Sequence, residues 1–389
     1  MDLEVIRQDT RGCENRIFLN SAGASLMPSR VVQKMKEYLS EEEMLGGYTM
    51  ASQNEAQIAG FYDEVAKLIH CKPTNIAFTY NATDSFSRAL SSIPFKNGDY
   101  ILTTHDDYSS NEIAFLSLQK RMGVQLLKVR NSAMGLLDLN HLEELAIKYH
   151  PKLIALNHIP TNSGLIQPAE EVGEICSKLD IWYVLDACQS VGQLEVDVTK
   201  VKCDFLSVTG RKFLRGPRGT GFLYVSDKVL AEGLEPLFID TRGADLQDSS
   251  KYIPKKTAMR FETWEYSYMS LVGLAEAIKY LNQLGIANVF EYNQKLMKPF
   301  REKLNAIKDL HVLDVGYNLS NILTFYKEGF LLDQITSLLD ANKVDYTVSR
   351  TNYAAEQLIK TKVDWVIRLS PHYFNTDEEL ESVANILEA

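Results

Sequence analysis

A lysine sits among glycines in the run Ser207-Val-Thr-Gly-Arg-Lys-Phe-Leu-Arg-Gly-Pro-Arg-Gly-Thr-Gly-Phe-Leu-Tyr-Val225. An apolar, strand-like stretch, Phe205 to Val208, leads into it, and a second, Gly221 to Val225, leads out. A lysine withdrawn from water gives up its proton readily, and the neutral amine is the form that attacks an aldehyde. Lys212 is therefore read as a Schiff-base lysine over a phosphorylated aldehyde cofactor. If that cofactor is pyridoxal phosphate, its ring nitrogen needs a carboxylate. Asp186, closing the apolar run before Ala187-Cys-Gln-Ser190, is the candidate, with Gln189 for the phenolic oxygen. Taken alone, Asp186 reads equally well as a local cap. Beside Lys212, at the end of a neighbouring strand, it falls on the sheet edge where α/β sites form.

A phosphate calls for amides at a helix start, hydroxyls and a cation. Asn81-Ala-Thr-Asp-Ser85 follows a strand and opens a helix, so Ala82 and Thr83 are the cradle candidates, with Thr209 and Arg211 completing the shell. His105 or Tyr108, just past another strand, would stack on the ring. His158, in Asn157-His-Ile-Pro-Thr161, offers a further polar group. A substrate carboxylate wants an arginine fork. Arg368 lies in the apolar run Val366-Ile-Arg-Leu-Ser370, where an unpaired charge is costly, and Arg350 is second choice.

The elements that must position these groups show a switching period. Seven short apolar runs, near 75–80, 100–104, 124–129, 153–156, 181–185, 205–208 and 221–225, alternate with amphipathic stretches. This is the pattern of an α/β fold with a mainly parallel seven-stranded sheet between helices. The last two runs are too closely linked for a parallel crossover, so one strand should be antiparallel. Residues 15–270 form the expected large domain and 271–389 a smaller C-terminal α+β domain, with residues 1–14 packing nearby. The net charge of −10 argues against nucleic-acid partners and a basic membrane face. No apolar stretch reaches membrane-span length, the first ten residues do not read as a signal peptide, and five cysteines without a C-x-x-C pair fit a cytoplasmic protein. No zinc spacing is present, so no metal is expected.

In this order, these residues resemble the class V aminotransferase family, the cysteine-desulfurase-like branch of fold-type-I pyridoxal-phosphate enzymes. The resemblance runs from Phe18-Leu-Asn-Ser-Ala-Gly23 to Arg368 and Asn375-Thr-Asp-Glu-Glu379. It implies that Lys212 carries the cofactor, Asp186 pairs with the ring nitrogen and Gln189 with the phenolic oxygen. Ala82, Thr83, Thr209 and Arg211 would hold the phosphate. Tyr108 and His158 would stand where desulfurases usually have histidine and asparagine, and Arg368 would take the substrate carboxylate. Asn20 and Ala22 fall in the N-terminal substrate-side motif. Family members are usually homodimers, and the stretch at Trp264 would approach the partner's phosphate, although its usual Gly-Thr pair is missing. Desulfurases carry a catalytic cysteine ahead of the substrate arginine; here Ser349-Arg-Thr-Asn-Tyr-Ala354 has none. The pattern looks closer to isopenicillin-N-epimerase-like members or C–S lyases. The expected reaction is β-elimination on a cysteine-derived amino acid. Transamination is an alternative, as is epimerisation with Tyr108 or Tyr48 as a second acid. A non-catalytic cofactor-binding protein is the rival from another class.

Overall fold

The computed structural model describes residues 1–350 and 364–388. A short strand, β1 (Ile17–Phe18), precedes the central sheet. That sheet comprises β2 (Ile76–Thr79), β3 (Tyr100–Thr103), β4 (Gln125–Lys128), β5 (Leu153–Asn157), β6 (Trp182–Asp186), β7 (Phe205–Thr209) and β8 (Gly221–Val225), in the order β2-β8-β7-β6-β5-β3-β4. These are the seven expected strands. β8 runs antiparallel to both neighbours, and the other pairings are parallel. The short link from Thr209 to Gly221 leaves no room for a crossover helix, so the chain returns antiparallel.

Side chains alternate across this sheet, as the period of two requires. Tyr183 and Leu185 enter one core, and Trp182 and Val184 enter the other. The first core is closed by helices Ala169–Leu179, Leu139–Tyr149 and Glu55–Ile69, the second by Ala82–Ser92 and Ser109–Met122. Both faces are therefore dry, which is why the strands read as near-continuous apolar runs. Helix Tyr268–Leu284, read from the sequence as the start of the second unit, buries Leu271, Leu274, Ile278 and Leu281 in the first of these cores.

A hairpin the sequence reading missed follows β8: β9 (Ala244–Asp248) and β10 (Lys251–Pro254). Its burial pattern is mostly exposed, so it carries no apolar period. Beyond it, β11 (Leu310–Val312), β12 (Leu323–Lys327), β13 (Val344–Asp345), β14 (Thr347–Arg350) and β15 (Trp365–Leu369) complete the strands. A four-stranded antiparallel sheet, β11-β12-β15-β14, packs Leu323, Phe325 and Ile367 against helices Ile286–Ala306, Leu332–Ala341 and Asp377–Glu388. β1 pairs in parallel with β13 in a separate two-stranded sheet, which ties the N-terminal segment to the strand just ahead of β14. Among the described residues, no helix is long and apolar enough to cross a membrane.

Helix packing tolerances give a paired prediction. A Cβ on Gly173, in helix Ala169–Leu179, would run into the carbonyl oxygen of Val201, a backbone atom that cannot swing away. A Cβ on Gly60, in helix Glu55–Ile69, would meet nothing within 4 Å. Gly-to-Ala in a helix interior gains about 1 kcal/mol when unobstructed, whereas overpacking costs about 1–3 kcal/mol. Gly173→Ala should therefore lower the thermal unfolding midpoint and Gly60→Ala raise it, read by calorimetry under identical conditions.

Candidate active site

Asp186 ends β6 opposite Ser207 of β7, and Lys212 follows β7 by three residues. Both side chains thus reach the carboxyl edge of neighbouring parallel strands, where they line one cavity of about 450 Å³. Asp186 Oδ2 accepts from Asn111 Nδ2 at 2.8 Å, and Oδ1 accepts from the Cys188 amide at 3.0 Å. The second contact is the local turn that the capping alternative foresees. It leaves each oxygen with further acceptor capacity, so it does not compete with a cofactor role.

Lys212 is 9% exposed, and its Nζ lies 5.9 Å from the centroid of the Tyr108 ring. Burial pushes its pKa down from 10.5 to about 8. The charges of Arg211 and Arg368 push the same way, against Cys188 and Asp186. A substantial fraction of neutral amine is therefore present near neutral pH.

The cradle on the other side of the cavity is set by helix Ala82–Ser92. Its cap, Asn81, accepts from the Asp84 amide at 3.0 Å, while the amides of Ala82 and Thr83, the first two of the helix, have no intrahelical acceptor. Ser207 Oγ donates to the Ala82 carbonyl at 2.9 Å, which fixes the helix start to β7. Gly221 makes this approach possible: a Cβ there would strike the Val208 carbonyl and come within 3.2 Å of the Asn81 backbone. Thr209, Gln189, Tyr108 and Arg211 line the same cavity. The side-chain carbonyl of Gln189 is buried without a partner, while its amide donates to the Ala22 carbonyl at 3.3 Å. The Gln189 amide keeps a second N–H, the donor that a phenolic oxygen needs.

Arg368, on β15, is buried beside this cavity. Nη1 donates to the carbonyl of Thr161, a cavity-lining residue, at 3.1 Å, Nη2 to Thr347 Oγ1 at 3.3 Å, and Nε has no partner. Thr347 in turn donates to Asn20 Oδ1 at 2.7 Å, so Asn20 belongs to this cluster. Burial, then the Arg211 charge, depresses the Arg368 pKa to about 10. Ala22 is held by Ser370 Oγ, which accepts from its amide at 2.9 Å.

The remaining sequence candidates stand elsewhere. His158 is not among the cavity-lining residues. It lies behind the wall, its amide donating to the Asp186 carbonyl at 3.0 Å, and burial pushes its imidazole down to about 4, which keeps it neutral. Arg350 is exposed and lines a separate depression with Asp333, Asp340 and Tyr346. Tyr48 is 77% exposed and Trp264 51% exposed, and within one chain neither lines the cavity. Of Ser349–Ala354, residues 351–354 lie outside the described residues. Asn111 is the functional residue that the sequence reading missed. It sits three positions after Tyr108, in the first turn of helix Ser109–Met122, and that spacing was the available signal.

All five thiols are pushed up by burial, Cys13 to about 11, Cys71 to about 12, and Cys176, Cys188 and Cys203 further. Cys188 is the one that lines the cavity. None is a poised thiolate. Among the described residues, no cluster of three or more His, Cys, Asp or Glu side chains could hold a metal ion.

The family model for class V aminotransferases matches residues 17–383. A probable cysteine desulfurase of Pyrococcus abyssi is 31% identical, over 99% of this chain and 96% of its own length. The apo structure of a cysteine desulfurase from Thermococcus onnurineus NA1 superposes with a TM-score of 0.90 at 27% identity, covering 99% of this chain and 97% of that one. The cystine C–S lyase C-DES, solved with its product cysteine persulfide, shares the fold at a TM-score of 0.86 and 19% identity, covering 97% and 99%.

The lowered Lys212 pKa fixes a pH dependence. Because only the neutral amine captures an aldehyde, the rate at which apoprotein binds pyridoxal phosphate should rise about tenfold per pH unit below pH 8 and level off above it. Stopped-flow absorbance between pH 6 and 9 reads this directly. A profile still climbing steeply at pH 9 would mean that Lys212 is not desolvated.

Proposed function

The chain belongs to the class V aminotransferase family, and from that membership we propose that this pyridoxal-phosphate enzyme is a C–S lyase acting on a cysteine-derived amino acid. The observation that carries the choice is the state of the thiols. A desulfurase of the persulfide type needs a reactive cysteine to take the sulfur. Here the one cavity thiol, Cys188, is buried, lies 3.9 Å from the Ser207 carbonyl, and is held far from ionisation by burial and by the charge and hydrogen bond of Asp186. The sulfur must then leave with the product.

The residues fit the cofactor. The Ala82 and Thr83 amides, the Thr209 hydroxyl and Arg211 would hold its phosphate, Asp186 its ring nitrogen, Gln189 its phenolic oxygen and Tyr108 its face. When bound, pyridoxal phosphate supplies an electron sink for a carbanion at the substrate Cα. This chain's own residues do the rest. Arg368 receives the α-carboxylate in a bidentate geometry, taking up its unpartnered Nε. Lys212, freed as the neutral amine, removes the Cα proton, and Asn111 fixes the Asp186 carboxylate so that its charge stays aligned. The Cβ–S bond breaks with its electron pair going to sulfur. With one water consumed, the products are a thiol or persulfide, pyruvate and ammonium. The named function of the P. abyssi relative and of C-DES, both on sulfur amino acids, supports this substrate class.

The same reading carries the organisation of the chain: a large unit, 15–270, and a smaller one, 271–389, with residues 1–14 alongside, supported by the separate seven-stranded and four-stranded sheets. It also carries a homodimer, supported by the large exposed side chains of Tyr48 and Trp264. A cytoplasmic location is supported by five free cysteines.

Purified holoenzyme should release pyruvate from S-substituted cysteines, measured by coupled lactate dehydrogenase, and Lys212→Ala should lower that rate by on the order of 10²–10⁴. Accumulation of the pyridoxamine form without pyruvate would instead identify a transaminase. Cofactor binding with no turnover of any kind would identify a binding protein.

A further inference from the structure

The segment between β5 and helix Ala169–Leu179 supplies part of the cavity wall, yet its hydrogen bonds run to the four-stranded sheet. Thr161 lines the cavity, and its carbonyl accepts from Arg368 Nη1 at 3.1 Å. The next carbonyl, of Asn162, accepts from Thr324 Oγ1 at 3.1 Å. Thr324 stands directly opposite Arg368 in the pairing of β12 with β15, so the two side chains leave the sheet on one face and grip adjacent carbonyls. Two residues further, the Gly164 amide donates to Asp314 Oδ1 at 3.0 Å. Gly164 lies tight against this sheet: a Cβ there would strike the Ile322 carbonyl and crowd Arg301 Nη2. Asp314 joins these contacts. Its Oδ1 also accepts from Thr324 Oγ1 at 3.3 Å, and its Oδ2 accepts from the Thr324 amide at 3.3 Å and lies 3.5 Å from Arg301 Nη2.

The Asp314 side chain is fully buried. A buried carboxylate is costly unless its partners are well placed, and replacing such an ion pair by apolar groups is often neutral or stabilising. Stability alone is therefore a weak reason for it. Its hydrogen bonds reach both Gly164 and Thr324, the two points that set where the Thr161 and Asn162 carbonyls lie. The Thr161 carbonyl in turn orients the Arg368 guanidinium. We propose that Asp314 is a positioning residue for substrate binding: by clamping the cavity-wall segment Thr161–Gly164 to the four-stranded sheet, it holds Arg368 in the orientation that receives the substrate carboxylate. This rests on the reading of Arg368 as the carboxylate ligand, and not on the fate of the Cβ–S bond.

The test titrates holoenzyme with propionate, an unreactive monocarboxylate, by calorimetry, in wild type and in Asp314→Ala, Asp314→Asn, Thr324→Val and Arg368→Met. Cofactor absorbance and the thermal unfolding midpoint are read on the same samples. Asp314→Asn keeps an acceptor for the Gly164 amide but strips Arg301 of its counter-charge, whereas Asp314→Ala removes both. Both variants should therefore lose stability and keep their cofactor. The propionate Kd should rise about tenfold in Asp314→Ala, the effect of leaving one buried hydrogen bond unmade, and Asp314→Asn should restore it to within about twofold of wild type. Thr324→Val keeps Asp314 and removes the donor to the Asn162 carbonyl. It should raise the Kd about threefold to tenfold, and it decides the matter alone if Asp314→Ala does not fold. An equal loss of affinity in both Asp314 variants, following the midpoint, would make the pair merely structural and overturn the proposal. So would wild-type affinity in Asp314→Ala and Thr324→Val while Arg368→Met no longer binds propionate, a result that leaves the carboxylate reading standing. Wild-type affinity in Arg368→Met would remove that reading and this inference with it.

Discussion

Three cations, Lys212 and Arg211 on one cavity and Arg368 behind its Thr161 wall, are drawn out of water where the cavity lining holds one carboxylate, Asp186. Removing a charge from water without a partner is among the most expensive things a fold can do. Each cation meets the cost differently. Lys212 lowers its pKa toward neutrality, so it can surrender the charge altogether. Arg368 and Arg211 cannot, and they lean on carbonyls and a hydroxyl instead: Thr161 and Thr347 for the first, Gly23 for the second. Carbonyl dipoles hold a guanidinium in place but do not neutralise it. The remaining demand for negative charge is what makes the cavity a receptor for anions.

Such a cluster persists only if its supports are rigid, and the supports converge on the segment that carries Lys212. Arg215, three residues on, is fully buried in a left-handed backbone conformation at φ 59°. Its guanidinium donates to the Leu26 carbonyl at 2.8 Å and Thr10 Oγ1 at 2.7 Å. It also packs over the rings of Tyr373 and Phe374, at 4.9 and 4.7 Å from their centroids. Cation–π contacts are strongest when desolvated, so the two rings replace the carboxylate that Arg215 lacks. His372, pushed down to about 3 by burial and then by Arg215, stays neutral and accepts no part of that charge; it meets the Phe213 carbonyl at 2.9 Å. The N-terminal segment, the turn after Lys212 and the turn after β15 are thereby locked together, which fixes the distance between the lysine and Arg368.

How much of this was legible in the sequence depended on whether a residue's role is local. The seven strands and the antiparallel β8 follow from apolar runs and from the length of one link, both of which are chain-local. Lys212 and Asp186 were legible because each ends such a run. Asn111 was missed because its hydrogen bond to Asp186, made from a helix to a strand end, leaves no trace in composition; only its spacing from Tyr108 pointed to it. The β9–β10 hairpin escaped for the opposite reason: it is mostly exposed, so its strands show no apolar period. Arg368 announced itself as a charge in an apolar strand. Arg350, Tyr48 and Trp264 carried no such signal, and within one chain they stand outside the cavity. Arg211 was placed by adjacency to Lys212, and it lines the same cavity while its guanidinium donates to the Gly23 carbonyl.

The same dielectric cost falls on the cysteine that lines the cavity. Cys188 lines the cavity, yet its thiol sits beside the Asp186 carboxylate and out of water. Both raise the cost of a thiolate, more than Lys212 and Arg211 together lower it. A sulfur-accepting thiol needs the reverse surroundings: partial exposure, a nearby cation without a competing carboxylate, and freedom to approach the substrate sulfur from outside. In the sequence the segment ahead of β15 would be the place for it, and Ser349–Ala354 contains no cysteine. The carboxylate that suppresses the cavity thiol is the one proposed to serve the ring nitrogen, so the two roles exclude each other at that position. Under the proposed function, sulfur released from Cβ has no acceptor among the described residues of the cavity wall and departs with the leaving group.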